Sequence, residues 1–166
     1  MTPFTPAQAD VLRSLVGFRL AFEHGVPVPV APDLNVKVAP TPVVLLLKMV
    51  AYLDRPGERE RDLEDIGYIL EEFVGGAAPG RFSDEVLERG IAYEEVSPFL
   101  LGRKVTAIVN HAEREVVLRF LAAIEDENNP TGAQALMARL GPPSWRRDPA
   151  EPLRRLEAFK QGFAGR

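Results

Sequence analysis

The sequence predicts a mainly α-helical α+β domain, a helical bundle carrying one short β-hairpin near residues 26–39. Apolar residues recur at helical intervals along most of the chain. The period drops to two in a single stretch, VPVPVAPDLNVKVAP. Proline, glycine and aspartate clusters such as Asp54-Arg55-Pro56-Gly57 interrupt the helical pattern.

Taken in order, residues 6–24 read as a first amphipathic helix, with Val11, Leu12, Leu15, Val16 and Leu20 on one face and Gly25 at its stop. Val26, Val28 and Val30 then alternate, as do Leu34, Val36 and Val38, with a turn at Pro32–Asn35. Pro27 and Pro29 cannot donate ladder hydrogen bonds, so the first strand is expected at an edge. Thr41-Pro42 opens the next helix, threonine as N-cap and proline at the first helical position. That helix is apolar nearly all round and is expected at the buried centre. A charged turn leads to a helix over 60–74 with Leu63, Ile66, Ile69, Leu70 and Phe73 as its stripe. Helical segments follow near 83–90, 94–101, 111–126, 131–140 and 149–163. Three regions result: 1–40 as helix and hairpin connector, 41–126 as helical core, and 127–166 as C-terminal helical tail.

Composition bounds the function classes. A chain of 166 residues, 46% hydrophobic and 27% charged, is that of an ordinary globular domain. The absence of cysteine excludes disulfides, thiol catalysis and thiolate metal sites. No stretch approaches the roughly 18 consecutive apolar residues that span a bilayer, and no leader pattern opens the sequence, so a cytoplasmic protein with no membrane contact is expected. The net charge of −4 is unevenly spread. Residues 58–95 hold twelve acidic and four basic side chains, and 146–166 hold six basic and three acidic. Neither segment has the dense basic patch with interleaved aromatics of a nucleic-acid footprint, so direct RNA or DNA binding is weakly supported.

Lys48 is the informative residue. It is the one polar side chain in the run from Val43 to Leu53, and its amine must either snorkel to water or meet a carboxylate. Asp62 and Asp65, at i and i+3 of the following helix, share a face and can converge on an amine of a neighbouring antiparallel helix.

The stretch LLLKMVAYLDRPGERERDLEDIGYIL, residues 45–70, resembles the helical half of nucleotidyltransferases of the AbiEii type. Some proteins of that broad group are toxins of toxin–antitoxin or phage-abortive systems. Lys48 falls on the family lysine, Arg61-Asp62 on a basic-Asp pair, and Asp65 on a second aspartate. The preceding segment, from Leu15 to Lys48, resembles the connector from the catalytic sheet. Similarity is convincing over about residues 15–75 and weaker to about 125. The resemblance implies that Lys48 contacts substrate phosphate, that Arg61 also binds substrate, and that Asp62 and Asp65 orient the lysine or assist proton transfer. It also implies magnesium and a nucleoside triphosphate when a catalytic partner is present, and an antitoxin partner.

The family's metal-binding features do not occur in this sequence, which has no Gly-Ser pair and no Asp-x-Asp. Glu60-Arg61-Asp62 and Asp62-Leu63-Glu64 lie on a helix, where alternate side chains point about 200° apart and cannot jointly hold an ion. The 25 residues before the β element are too few for a nucleotide-binding sheet. The sequence is therefore expected to be a substrate-side half, or a truncated relic, not catalytic alone and without a cofactor or metal of its own. A separate polypeptide would supply the catalytic half. Two alternatives stand beside it: a non-catalytic helical interaction or oligomerisation module, and an independent enzyme using Asp54, Asp62 and Asp65. At the residue level, taken from this chain alone, the lysine–aspartate set reads first as a buried ion pair that locks two helices in register.

Other residues have plainer readings. His24 ends a helix, where a cation suits the dipole. His111 and Glu115 stand one turn apart but lack an evident third ligand. Asp33 fits turn chemistry. Trp145, before Arg146-Arg147, either anchors the tail or meets a partner. Leu153, Leu156, Phe159 and Phe163 form an apolar stripe that must dock on this chain or another.

Overall fold

The computed structural model describes residues 17–126 and 150–165. It confirms the mainly helical α+β class: seven α-helices and one two-stranded antiparallel sheet lie among the described residues. The elements are α1 (Phe18–His24), β1 (Val26–Ala31), β2 (Leu34–Val38), α2 (Thr41–Asp54), α3 (Glu60–Glu72), α4 (Asp84–Glu88), α5 (Val96–Ile108), α6 (His111–Glu125) and α7 (Glu151–Ala164). Among the described residues no helix is long and apolar enough to cross a membrane.

α2 is the central element, as its apolar composition requires. Val43, Leu45, Leu46, Met49 and Tyr52 are buried, and α3, α6, α1 and α5 pack around it. Tyr52 meets Phe120 of α6 edge-on, with ring centroids 5.8 Å apart. Leu63, Ile66 and Leu70 of α3 continue the same core, as do Leu156, Phe159 and Phe163 of α7. The C-terminal stripe therefore docks on its own chain. Leu153 lies at the margin of that stripe, 37% exposed.

Several boundaries depart from the sequence reading. The first helix cannot run unbroken from 6 to 24, because Gly17 adopts φ 92°, a left-handed conformation at the N-cap of α1. Residues 6–16 lie outside the described residues, as do 131–140, Trp145, Arg146 and Arg147. α2 starts at Thr41 itself with Pro40 as N-cap, so the threonine hydroxyl makes no cap bond. The helix expected over 94–101 continues to Ile108, straight through Gly102. That glycine serves close packing. A β-carbon there would stand 2.2 Å from the Phe159 carbonyl oxygen and 2.7 Å from the Phe163 nitrogen. Gly162 returns the contact, since its β-carbon would stand 2.0 Å from the Phe99 carbonyl oxygen. The α5 and α7 backbones thus cross glycine on glycine.

Polar side chains lock the remaining elements. Asn110 and Glu113 form a reciprocal capping box at the start of α6. Buried Glu113 also accepts two bonds from Arg19 of α1, at 2.7 and 2.9 Å. Arg155 of α7 ties Glu151 to the Glu94 carbonyl. Arg81 is buried with carbonyl partners on two loops, donating to Val74, Gly75 and Tyr93 while lying 4.6 Å from the Tyr93 ring centroid. Arg81→Met strands three carbonyls and is expected to destabilise the chain by about 2 kcal/mol, measured by urea unfolding. An unchanged midpoint would show that the loops close without it.

The hairpin is built as its alternation requires. Val26 stands opposite Val38, and Val28 opposite Val36, in antiparallel register. Every residue of both strands is exposed.

Candidate functional site: the Lys48–Asp62–Asp65 cluster

α2 and α3 lie side by side across the turn at 55–59, which brings Lys48 against the first two turns of α3. The Lys48 Nζ donates to Asp62 Oδ1 at 2.8 Å and to Asp65 Oδ2 at 2.6 Å. The two sequence-predicted carboxylates therefore converge on the predicted amine. Asp62 reaches this position because it occupies the buried face of α3, one residue before core Leu63.

The two carboxylates differ in environment. The Asp62 side chain is 7% exposed and that of Asp65 is 51% exposed, with the Lys48 side chain between them at 31%. Asp62 Oδ2 is buried and accepts no hydrogen bond, and Arg59 Nη1 lies 3.9 Å from it. Arg59 was not singled out in the sequence; its signal was its position three residues before Asp62, on the same side of the first helical turn. Arg61 is exposed and lies outside the ion-paired cluster. It stands one turn from Asp65, at i and i+4.

The hydrogen bonds to Asp62 and then Asp65 hold the Lys48 ammonium above the ordinary lysine value of 10.5, against a smaller opposing effect of burial. A raised folded-state value means that this stabilisation is complete below the unfolded value and is lost as pH rises through the folded one. The stability difference between wild type and Lys48→Met should hold constant from neutral pH up to about pH 10 and shrink above it. A difference that does not change in that window would place the stabilisation elsewhere.

The remaining candidates do not join this cluster. Asp54 is exposed at the end of α2 and lies 3.6 Å from Arg55. His24, Asp33, His111 and Glu115 are all exposed on other elements. Among the described residues no group of three or more acidic or histidine side chains is arranged to hold a metal ion.

Fold and site together define a mainly helical α+β protein with a partly buried lysine clamped by two carboxylates of the neighbouring helix. No protein-family model matches the chain, and comparison with curated proteins and with solved structures gives no match.

Proposed function

We propose that this chain is the helical, substrate-side half of a nucleotidyltransferase of the AbiEii type. A separate polypeptide supplies the metal-binding half with its magnesium and nucleoside triphosphate. Lys48 contacts a substrate phosphate, and Asp62 and Asp65 orient it or assist proton transfer. The reading rests on the resemblance of residues 45–70, and one observation supports it most: the amine that the resemblance places at the phosphate is held by both aspartates, on a side chain that remains 31% exposed. A buried, fully enclosed amine would fit only a packing role.

The direct test incubates the chain with labelled nucleoside triphosphates, magnesium and transfer RNA, with and without the polypeptide encoded upstream. A Gly-Ser turn followed by Asp-x-Asp in that upstream sequence is the expected signature of the partner. Label transfer only when both polypeptides are present, and its loss in Lys48→Met, is the expected outcome. Transfer by the chain alone, or none in the mixture, overturns the reading.

The hairpin favours a second reading, a non-catalytic interaction module. Val26, Val28, Leu34, Val36 and Val38 are 38–55% exposed, and alternation places them on one face. Pro27 and Pro29 lack the N–H groups needed for ladder pairs with Lys37 and Asn35, so the hydrogen-bonded pairs are those of Val26 and Val28. The outer edge of β1 therefore offers no donor at either proline, whereas β2 presents the N–H groups of Asn35 and Lys37. An aliphatic strand adding to β2 fits this surface. Light scattering after size exclusion decides: a strict monomer whose elution is unchanged by Val36→Lys contradicts self-association.

A further inference from the structure

The two aspartates of the cluster are not equivalent, and the difference deepens the reading above, on which this inference rests. Asp62 is nine-tenths buried, and one of its oxygens has no hydrogen-bond partner. Its other oxygen fixes the Lys48 amine from the protein side. Asp65 approaches the same amine from the solvent side on a half-exposed side chain. An exposed carboxylate is held weakly, because water solvates it almost as well as the ammonium does. Its oxygen thus occupies the position on Lys48 that an incoming anionic oxygen would take.

Arg59 extends the same surface. Its side chain is more than half exposed and brings a guanidinium nitrogen to 3.9 Å from the far oxygen of Asp62, so Lys48 and Arg59 flank one carboxylate. Two cations so placed match a ligand with several anionic oxygens on adjacent centres, and a guanidinium presents paired donors to such oxygens.

We infer that Lys48 and Arg59 form a polyphosphate site, that Asp62 is its positioning residue, and that Asp65 is a placeholder displaced when the anion binds. Exchange on Lys48 breaks one ammonium–carboxylate hydrogen bond and forms one ammonium–phosphate hydrogen bond, with no proton transfer. The two aspartates then have effects of opposite sign on binding.

The experiment is isothermal titration of the full chain with inorganic tripolyphosphate, without divalent metal. Asp65→Asn removes the competing charge and should bind about two- to fivefold tighter than wild type, the scale of one exposed charge pair. Asp62→Asn should bind roughly tenfold weaker, because Lys48 loses its charged anchor. Arg59→Gln should also weaken binding. Glu64→Gln, an exposed acid on another face of α3, sets the background effect of removing one negative charge. A thermal melt confirms that each variant is folded; if Asp62→Asn is not, the exposed Asp65→Asn still decides. Weaker or unchanged binding by Asp65→Asn, or a gain no larger than that of Glu64→Gln, overturns the inference. Absence of binding by both wild type and Asp65→Asn overturns it together with the phosphate role of Lys48. Failed label transfer with intact binding removes only the catalytic reading.

Discussion

Gly162→Ala is expected to destabilise the chain by about 3 kcal/mol, although alanine normally favours a helix interior over glycine by about 1 kcal/mol. The added methyl would lie 2.0 Å from the Phe99 carbonyl oxygen and 3.2 Å from the Arg103 nitrogen. Both are backbone atoms of α5 and cannot rotate away, so the two helices must separate. Separation loosens Phe159 and Phe163, which are buried on α7 and stack with centroids 6.0 Å apart. The loss should appear as a melting temperature lower by roughly 6–12 °C for a domain of this size. Gly102→Ala, which meets Phe159 and Phe163 backbone, should behave alike. The exposed Gly57 has open space around its α-carbon, and Gly57→Ala is the control, expected within about 0.5 kcal/mol of wild type. A Gly162→Ala chain as stable as wild type would mean that the α5–α7 crossing is wider than described.

Lys48→Met is expected to have the second large effect, roughly 2–3 kcal/mol at neutral pH, read from denaturant unfolding. The magnitude comes less from the lost attraction than from what remains. Asp62 stays buried, its second oxygen already lacks a hydrogen bond, and among the described residues Arg59, at 3.9 Å, is the one cation left paired with it. Asp65 is half exposed and returns to water at little cost. Replacing the stranded charge as well, in Lys48→Met/Asp62→Leu, should recover most of the stability, since a buried ion pair and a packed apolar pair differ little. Lys48→Met/Asp65→Leu should recover none. Equal recovery by both double variants would contradict the difference in burial. Stability and ligand binding are separable at this site, because Asp65→Asn is expected to change binding and leave stability nearly untouched.

Much of this architecture was legible in the residues. Alternation at Val26–Val38 located the hairpin within a residue at each end, because a period of two is incompatible with a helix. The run VVLLLKMVAYL marked the central helix, and its one amine predicted its partners, since a buried charge admits few solutions. The i and i+3 spacing of Asp62 and Asp65 did the rest. The segment near 94–101 runs on through Gly102 to Ile108, and only the approach of α7, about sixty residues later in sequence, explains a glycine inside that helix. Arg81, Arg155 and the Arg19–Glu113 pair were missed for a related reason. A charged residue in an amphipathic pattern looks solvated until a distant element covers it.

The sequence by itself determined the helix-rich class, the hairpin and the pairing of Lys48 with carboxylates, all of which follow from periodicity and from the penalty on isolated charge. Tertiary structure alone decided which aspartate is buried, which arginine stands beside it, and how closely α5 and α7 approach. Those outcomes depend on contacts between segments far apart in the chain, and local spacing carries no information about which surface will meet which.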